Sequence, residues 1–96
     1  MEGYIGQVMI FHKDWAPENW MPCDGRKLKF KKYAALAAVL GIKAPEGVGY
    51  VEDMPDDLEF RLPSISSRHP DFNYIICVNG LFPIRAEYGT DINTPD

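Results

Sequence analysis

The segment WMPCDGRKL, residues Trp20–Leu28, places a tryptophan, a proline, a cysteine and an Asp-Gly pair directly before a run of lysines. Asp-Gly is among the strongest short hairpin signals, because both positions of the favoured turn need positive φ. The sequence therefore predicts a β-hairpin in which residues 20–23 pair with residues 27–30. Pro22 donates no ladder hydrogen bond and marks its strand as an edge or a bulge. In a competing interpretation, Cys23 is a reactive thiol beside the Asp24 carboxylate.

Two further segments have the composition of buried strands. Residues 4–11 are rich in β-branched and aromatic side chains and apolar on both faces, which predicts a strand buried on two sides. Residues 73–78 are similar and end at an Asn-Gly pair. We expect Val8–Phe11 and Tyr74–Val78 to form the central pairing of the sheet.

Between these strands the apolar period changes to that of a helix. Apolar side chains recur at i, i+3, i+4 and i+7, at Tyr33, Leu36, Ala37 and Leu40. This pattern predicts one helix from about Lys31 to Leu40, ended by Gly41 in a left-handed C-cap. Residues 44–59 hold six acids and no base, and we expect them to form a loop.

The length of 96 residues allows one compact domain. We predict a small single α+β domain in which a β-hairpin and a short mixed sheet pack against one helix. This domain is expected to span residues 1–85. Residues 86–96 have too few apolar side chains to pack alone and are predicted to form an extended C-terminal tail.

Composition argues against several functional classes. The longest apolar stretch, residues 33–42, has roughly half the length that spans a bilayer, so we expect no membrane insertion. The N-terminus lacks the basic start and apolar core of a secretory signal, which indicates synthesis in the cytoplasm. A net charge of −4 argues against nucleic-acid binding.

The cysteines and histidines give weak support for chemistry. Cys23 and Cys77 lack the paired spacing of zinc ligands, and we expect two buried thiols, with a disulfide as the main alternative. A nucleophilic pair with His12 or His69 cannot be inferred from spacing. The acids of residues 52–59 do not follow an EF-hand register, and Gly47 and Gly49 form no phosphate-binding pattern. We therefore predict no catalytic residue, metal or cofactor.

Charges of opposite sign fall in separate parts of the chain. Such a molecule can associate head to tail, because complementary patches steer and orient contacts. Two ordinary solvated faces are the alternative. The candidate contacts for electrostatic assembly are the bases Arg26, Lys27, Lys29, Lys31 and Lys32 and the acids Asp53, Asp56, Asp57 and Glu59.

Aromatic residues provide a second set of candidate contacts. Trp20 opens the predicted hairpin and is expected in the core, whereas Trp15 lies among charged neighbours and is expected to be exposed. Exposed aromatic side chains can anchor a protein partner or stack on a sugar. Trp15, Tyr50 and Tyr88 are the candidates for such a contact.

The order of these motifs resembles the phage tail-collar domain and the bacterial microcystin-dependent proteins that share it. The densest part of the resemblance is APENWMPCDGRKL, residues 16–28. It extends over Ile5-Gly6-Gln7-Val8, Phe11, Tyr33, Ala35-Leu36, Leu40-Gly41 and Phe60-Arg61-Leu62-Pro63. Residues 73–83, NYIICVNGLFP, resemble the closing strand of the microcystin-dependent proteins.

The sequence departs from the family after Pro63. The Leu-Pro-Asp-Leu-Arg-Gly-Arg motif of relatives is replaced by LPSISSR, residues 62–68, and the long glycine-rich middle segment is missing. The receptor-binding head and metal-binding histidines of trimeric tail fibres lie beyond the collar, so neither is carried over to this chain.

The resemblance implies a non-enzymatic structural subunit of a phage tail, tail fibre, spike or baseplate, or of a related contractile apparatus. Its expected partners are other tail or baseplate proteins and further copies of itself, as a trimer or hexamer. Its expected location is the virion tail, after synthesis in the host cytoplasm. The alternative function is a small adhesin that recognises cell-surface carbohydrate through Trp15 and the loop of residues 47–58.

Overall fold

A computed structural model of the protein describes residues 2–48 and 50–84. Within them the order of elements is three strands, a helix, a 3₁₀ turn and two strands. Their bounds are β1 Val8–His12, β2 Trp20–Pro22, β3 Lys27–Lys29, α1 Ala34–Val39, the 3₁₀ turn Val51–Asp53, β4 Glu59–Arg61 and β5 Phe72–Cys77.

The larger sheet has three strands in the order β1, β5, β2, and both pairings are antiparallel. Val8 lies opposite Ile76, and Trp20 lies opposite Cys77. Strand β5 is central, and its residues Ile75, Ile76 and Cys77 have no exposed surface. The predicted pairing of the first and last strands is confirmed.

The predicted hairpin around Asp24-Gly25 is wrong. Strand β2 pairs with β5, whereas β3 pairs with β4 in a separate two-stranded antiparallel sheet. Of Asp24 and Gly25, only Gly25 has positive φ, at 78°. The backbone therefore does not form the two-residue turn that needs positive φ at both positions. Residues 23–26 instead carry the chain from one sheet to the other, and Asp24 forms an isolated antiparallel bridge with Ser64.

The prediction that the first strand is buried on both sides and begins near Tyr4 is also wrong. Strand β1 begins at Val8, because the N–H of Gln7 donates to the carbonyl of Tyr4 in a turn where Gly6 has a φ of 91°. As an edge strand, β1 leaves 41% of Val8 and 56% of Ile10 exposed.

The helix is shorter than its apolar period predicts, because residues 31–33 form a turn before Ala34. Its end is as predicted. Gly41 has a φ of 80°, its N–H donates to the Ala38 carbonyl, and the N–H of Ile42 donates to the Ala37 carbonyl. This pair of bonds is the Schellman arrangement.

Buried side chains form two clusters. The larger joins α1, both sheets and the loops, through residues that include Leu36, Phe60 and Ile76. The smaller consists of Trp20, Ile75 and Cys77, with Met9, Phe11 and Ala16 packed against it. A parallel bridge joins Tyr4 to Leu81. These features confirm a small α+β domain, and the predicted tail from residue 86 lies outside the described residues.

Candidate interaction surface

Strands β3 and β4 form a charged ribbon anchored by an apolar pair. Leu28 and Phe60 lie opposite each other and are both buried, and the Phe60 ring packs edge-on to Phe30 with centroids 5.5 Å apart. Alternation along each strand then turns the neighbouring side chains to solvent. The exposed residues of the ribbon are Lys27, Lys29, Glu59 and Arg61.

The basic run and the acidic segment lie side by side in the same chain. The Lys29 ammonium is 3.6 Å from the Glu59 carboxylate, and that of Lys31 is 3.2 Å from Asp56. Exposed pairs of this kind contribute about 0–1 kcal/mol each. Four of the predicted assembly contacts are thus partly compensated within one chain.

Arg26, a fifth predicted contact, is held by Asp24. The guanidinium donates to the carboxylate with its Nη2 at 2.8 Å and its Nε at 3.0 Å, and the Arg26 backbone N–H donates to Asp24 Oδ1 at 3.1 Å. The side-chain hydrogen bonds lower the pKa of Asp24 and raise that of Arg26. Asp24 therefore fixes the segment between the two sheets, which agrees with a local structural role.

Lys27 and Arg61 lie directly opposite each other at one end of the ribbon. Arg61 Nη1 donates to the backbone carbonyl of Gly25 at 3.1 Å. Among residues 2–48 and 50–84, neither cation forms an ion pair with a carboxylate. Like charges in this position destabilise a strand pair. Sequence reasoning missed Arg61, because only the β3–β4 register reveals its position opposite Lys27.

The segment that precedes β4 is acidic. Glu52, Asp53 and Asp57 are exposed, and within the described part of the chain none of them forms an ion pair. The remaining predicted base, Lys32, places its ammonium 5.5 Å from the ring centroid of Tyr33. The ribbon therefore carries an uncompensated basic pair at one end, and the segment that precedes β4 carries acids without an ion pair among the described residues.

Two of the three aromatic candidates lie within the described residues and are exposed. Trp15 is 56% exposed, as expected, and packs edge-on against Phe11 with ring centroids 4.8 Å apart. Tyr50 is 72% exposed beside the 3₁₀ turn. Tyr88 lies outside the described residues. The structure therefore presents Trp15 and Tyr50 to solvent.

A groove of about 420 Å³ with a mixed polar and apolar lining lies beside the Asp24–Arg26 pair. Its walls include Asp14, Ser64 and Ser66. Asn73 also lines it, and the side-chain amide of Asn73 donates to the Lys13 carbonyl while its Oδ1 is buried without a partner among the described residues. The groove is open to solvent.

Both cysteines are buried free thiols, as the apolar interpretation predicted. Burial raises the pKa of the Cys23 thiol, and the nearby Asp24 carboxylate raises it further. Burial also raises the pKa of Cys77, partly offset by the Asn79 backbone. A raised pKa disfavours the thiolate, which is the nucleophilic form. The interpretation of Cys23 as a reactive thiol therefore finds no support.

The described residues offer neither a cluster of metal ligands nor a membrane-spanning helix. Over the described ranges, no three His, Cys, Asp or Glu side chains are grouped so that they could hold a metal ion. None of the helices in the same ranges is long and apolar enough to cross a membrane.

Comparison with known proteins gives one match. The family model of the phage tail collar domain matches residues 6–70, about two thirds of the chain. This range includes β1, β2, the helix and the whole charged ribbon. No curated protein and no solved structure matches the chain.

Proposed function

Because the chain belongs to the phage tail collar domain family, we propose that it is a non-enzymatic structural subunit of a tail fibre, spike or baseplate. It acts through protein–protein assembly in the virion tail, after synthesis in the host cytoplasm. The single observation that carries this proposal is the family match over residues 6–70. The resemblance of residues 73–83 to the microcystin-dependent proteins agrees with it.

The surface is suited to assembly. A chain of this length buries only around two thirds of the surface of its unfolded state, which leaves much of the chain for contacts. Around Tyr4, a shallow apolar groove of about 310 Å³ is lined by Phe82, Pro83 and Ile84, and Ile84 is 91% exposed. Apolar patches of this kind mark contact sites. Homo-oligomers, here a trimer or hexamer, are the common form of such modules.

The buried thiols support a non-enzymatic role. A cysteine nucleophile needs an accessible thiolate beside a base. Cys23 is 4% exposed and Cys77 is fully buried, and the pKa of each is raised. These side chains act as small apolar residues of the two clusters.

The proposal is tested in intact particles. A phage that encodes this chain with an epitope tag is purified, and the tag is located by immunogold electron microscopy. Label at the tail, with untagged particles as control, is the expected result. Particles that contain no copy of the chain contradict a structural role in the virion.

A carbohydrate-binding adhesin is the second candidate, and the exposed indole of Trp15 favours it, since tryptophan offers a stacking face. The loop of residues 47–58, with Tyr50, is the other proposed contact. Glycan-array binding by the purified protein that is lost in Trp15→Ala supports the adhesin. Absence of binding, together with a stable oligomer by light scattering, supports the scaffold.

A further inference from the structure

We propose that the β3–β4 ribbon is a docking element, in which its basic end, Lys27 and Arg61, binds the acidic segment that precedes β4, through Asp53 and Asp57, of a second copy of this chain. The inference rests on the proposed function, because it names the partner and the surface through which the subunit assembles.

The first observation is the unfavourable opposition of Lys27 and Arg61. The next position of the same strand pair carries Lys29 opposite Glu59, an attractive combination. Two cations placed opposite each other cost stability in the isolated chain. A carboxylate from outside the chain removes this cost by pairing with both side chains. The folded ribbon is therefore more stable when a carboxylate from a partner is bound at its basic end.

The second observation is the order of charge along the ribbon. Lys27 and Arg61 form one end of the ribbon, Lys29 and Glu59 form a neutral pair at the other end, and Lys31 pairs with Asp56 beyond it. Asp57 lies in a turn four residues before Arg61, and neither Asp53 nor Asp57 forms an ion pair with Lys27 or Arg61 among the described residues. The basic pair and these acids therefore do not neutralise each other within one copy.

The size of the basic site fits a side chain. A cleft of about 190 Å³ lies among Lys27, Glu59, Phe60 and Arg61. Small-molecule pockets typically run from about 300 to 1,000 Å³. The cleft is therefore suited to one inserted carboxylate side chain, with the Arg61 guanidinium able to bind it in a bidentate manner.

Charge complementarity identifies the occupant as another copy. The chain carries a net charge of −4, which disfavours an extended polyanion such as a nucleic acid. Both halves of the contact are present on one molecule, since Asp53 and Asp57 are exposed and form no ion pair within the described residues. Contact between different surfaces of identical chains is heterologous, and it produces rings or open arrays.

Charge-reversal variants of the untagged protein test the contact by sedimentation velocity at low and moderate salt. Self-association of the wild-type protein weakens as salt rises. Lys27→Glu and Asp57→Lys each weaken self-association by about tenfold or more, because a like-charge contact replaces an attractive one. Lys43→Glu, an exposed lysine outside the ribbon, makes the same change of charge and is the matched control. It retains wild-type association.

Complementation makes the test specific. In a mixture of Lys27→Glu and Asp57→Lys, the glutamate at position 27 of one variant faces the lysine at position 57 of the other. Association then returns in the mixture, and in the double variant, whose polarity is reversed. Circular dichroism and thermal unfolding verify that each variant is folded.

Three outcomes overturn the proposal: a wild-type protein that stays monomeric at its highest soluble concentration, reversal variants that associate as the wild type does, or a mixture that fails to recover. If only an acidic segment from another tail protein binds the basic end, the second copy is the wrong partner and the proposal is also overturned. None of these results contradicts the proposed location in the virion tail, because immunogold labelling of particles tests that location separately.

Discussion

Gly80 packs directly against the backbone of Gly3, and a Cβ atom added at Gly80 would lie closer than 3.0 Å to the Gly3 carbonyl oxygen. The contact is reinforced on both sides. The N–H of Leu81 donates to that same carbonyl at 3.0 Å, and the N–H of Ile5 donates to the Leu81 carbonyl at 2.8 Å. The segment that follows β5 is thereby fastened to the segment that precedes β1.

Gly80→Ala is therefore expected to destabilise the domain. The added methyl group meets backbone, which cannot rotate away as a flexible side chain can, and overpacking of this kind costs about 1–3 kcal/mol. Urea unfolding monitored by circular dichroism measures the change. Asn79→Ala, at the exposed neighbouring position, is the control and should stay within about 0.5 kcal/mol of the wild type. Equal stability of the two variants would contradict the close contact.

The stability of the fold should decrease at alkaline pH in a manner that depends on Cys23. Burial and the Asp24 carboxylate raise the pKa of this thiol in the folded state above its ordinary value of 9.0. The folded state thus holds the thiol proton more tightly, so its stabilising contribution is complete below pH 9.0 and is lost as pH rises through the folded pKa.

Cys23→Ala isolates this effect. The variant is less stable than the wild type near neutral pH because it loses packing, and the difference between the two proteins shrinks as pH rises above 9.0. Urea unfolding over a series of pH values measures both curves. A difference that stays constant with pH would show that the thiol titrates alike in the folded and unfolded chains.

Elements with a local cause were predictable from sequence, and pairings with a distant cause were not. Gly41 ends the helix through backbone bonds to residues within five positions, and sequence identified it correctly. The Asp24-Gly25 signal was equally strong, yet β2 pairs with β5 and β3 pairs with β4, each at least 30 residues away. Long-range pairing decided the role of that segment, and the local turn preference was overridden.

The features of the candidate interaction surface also differ in whether the sequence could predict them. Exposure of Trp15 and the charge of residues 26–32 could be predicted, because they depend on residue type and immediate neighbours. The importance of Arg61 could not, because it depends on a register that places it opposite Lys27. Internal pairing of Lys29 and Lys31 with the acidic segment was missed for the same reason.

The backbone at Lys13 offers a stabilising substitution. Lys13 has a φ of 73°, a left-handed conformation that is unfavourable for residues with a Cβ atom. Its side chain is exposed, and its hydrogen bonds to Asp71 and Asn73 use backbone atoms that glycine retains. Lys13→Gly should therefore stabilise the domain by about 0.5–1 kcal/mol.

Thermal unfolding by calorimetry measures this gain. Lys43→Gly is the matched control, because it removes the same exposed side chain where φ is not positive, and it should be neutral or destabilising. If the two substitutions change stability alike, the gain does not come from relief of backbone strain at residue 13.

Lys27→Glu should stabilise the isolated monomer even though it weakens the proposed contact between copies. The substitution places a carboxylate opposite Arg61 in the β3–β4 pair, so an attractive cross-strand pair replaces a repulsive one. The expected gain is about 0.2–1 kcal/mol at low salt and falls as salt screens the exposed charges. Urea unfolding at a concentration where the protein is monomeric measures it, with Lys27→Gln separating removal of repulsion from added attraction. A damaged fold would lower both the stability of the monomer and its self-association. Higher monomer stability together with weaker self-association therefore identifies Lys27 as a residue whose charge serves a partner. Lower stability of the glutamate variant would contradict the repulsion between Lys27 and Arg61.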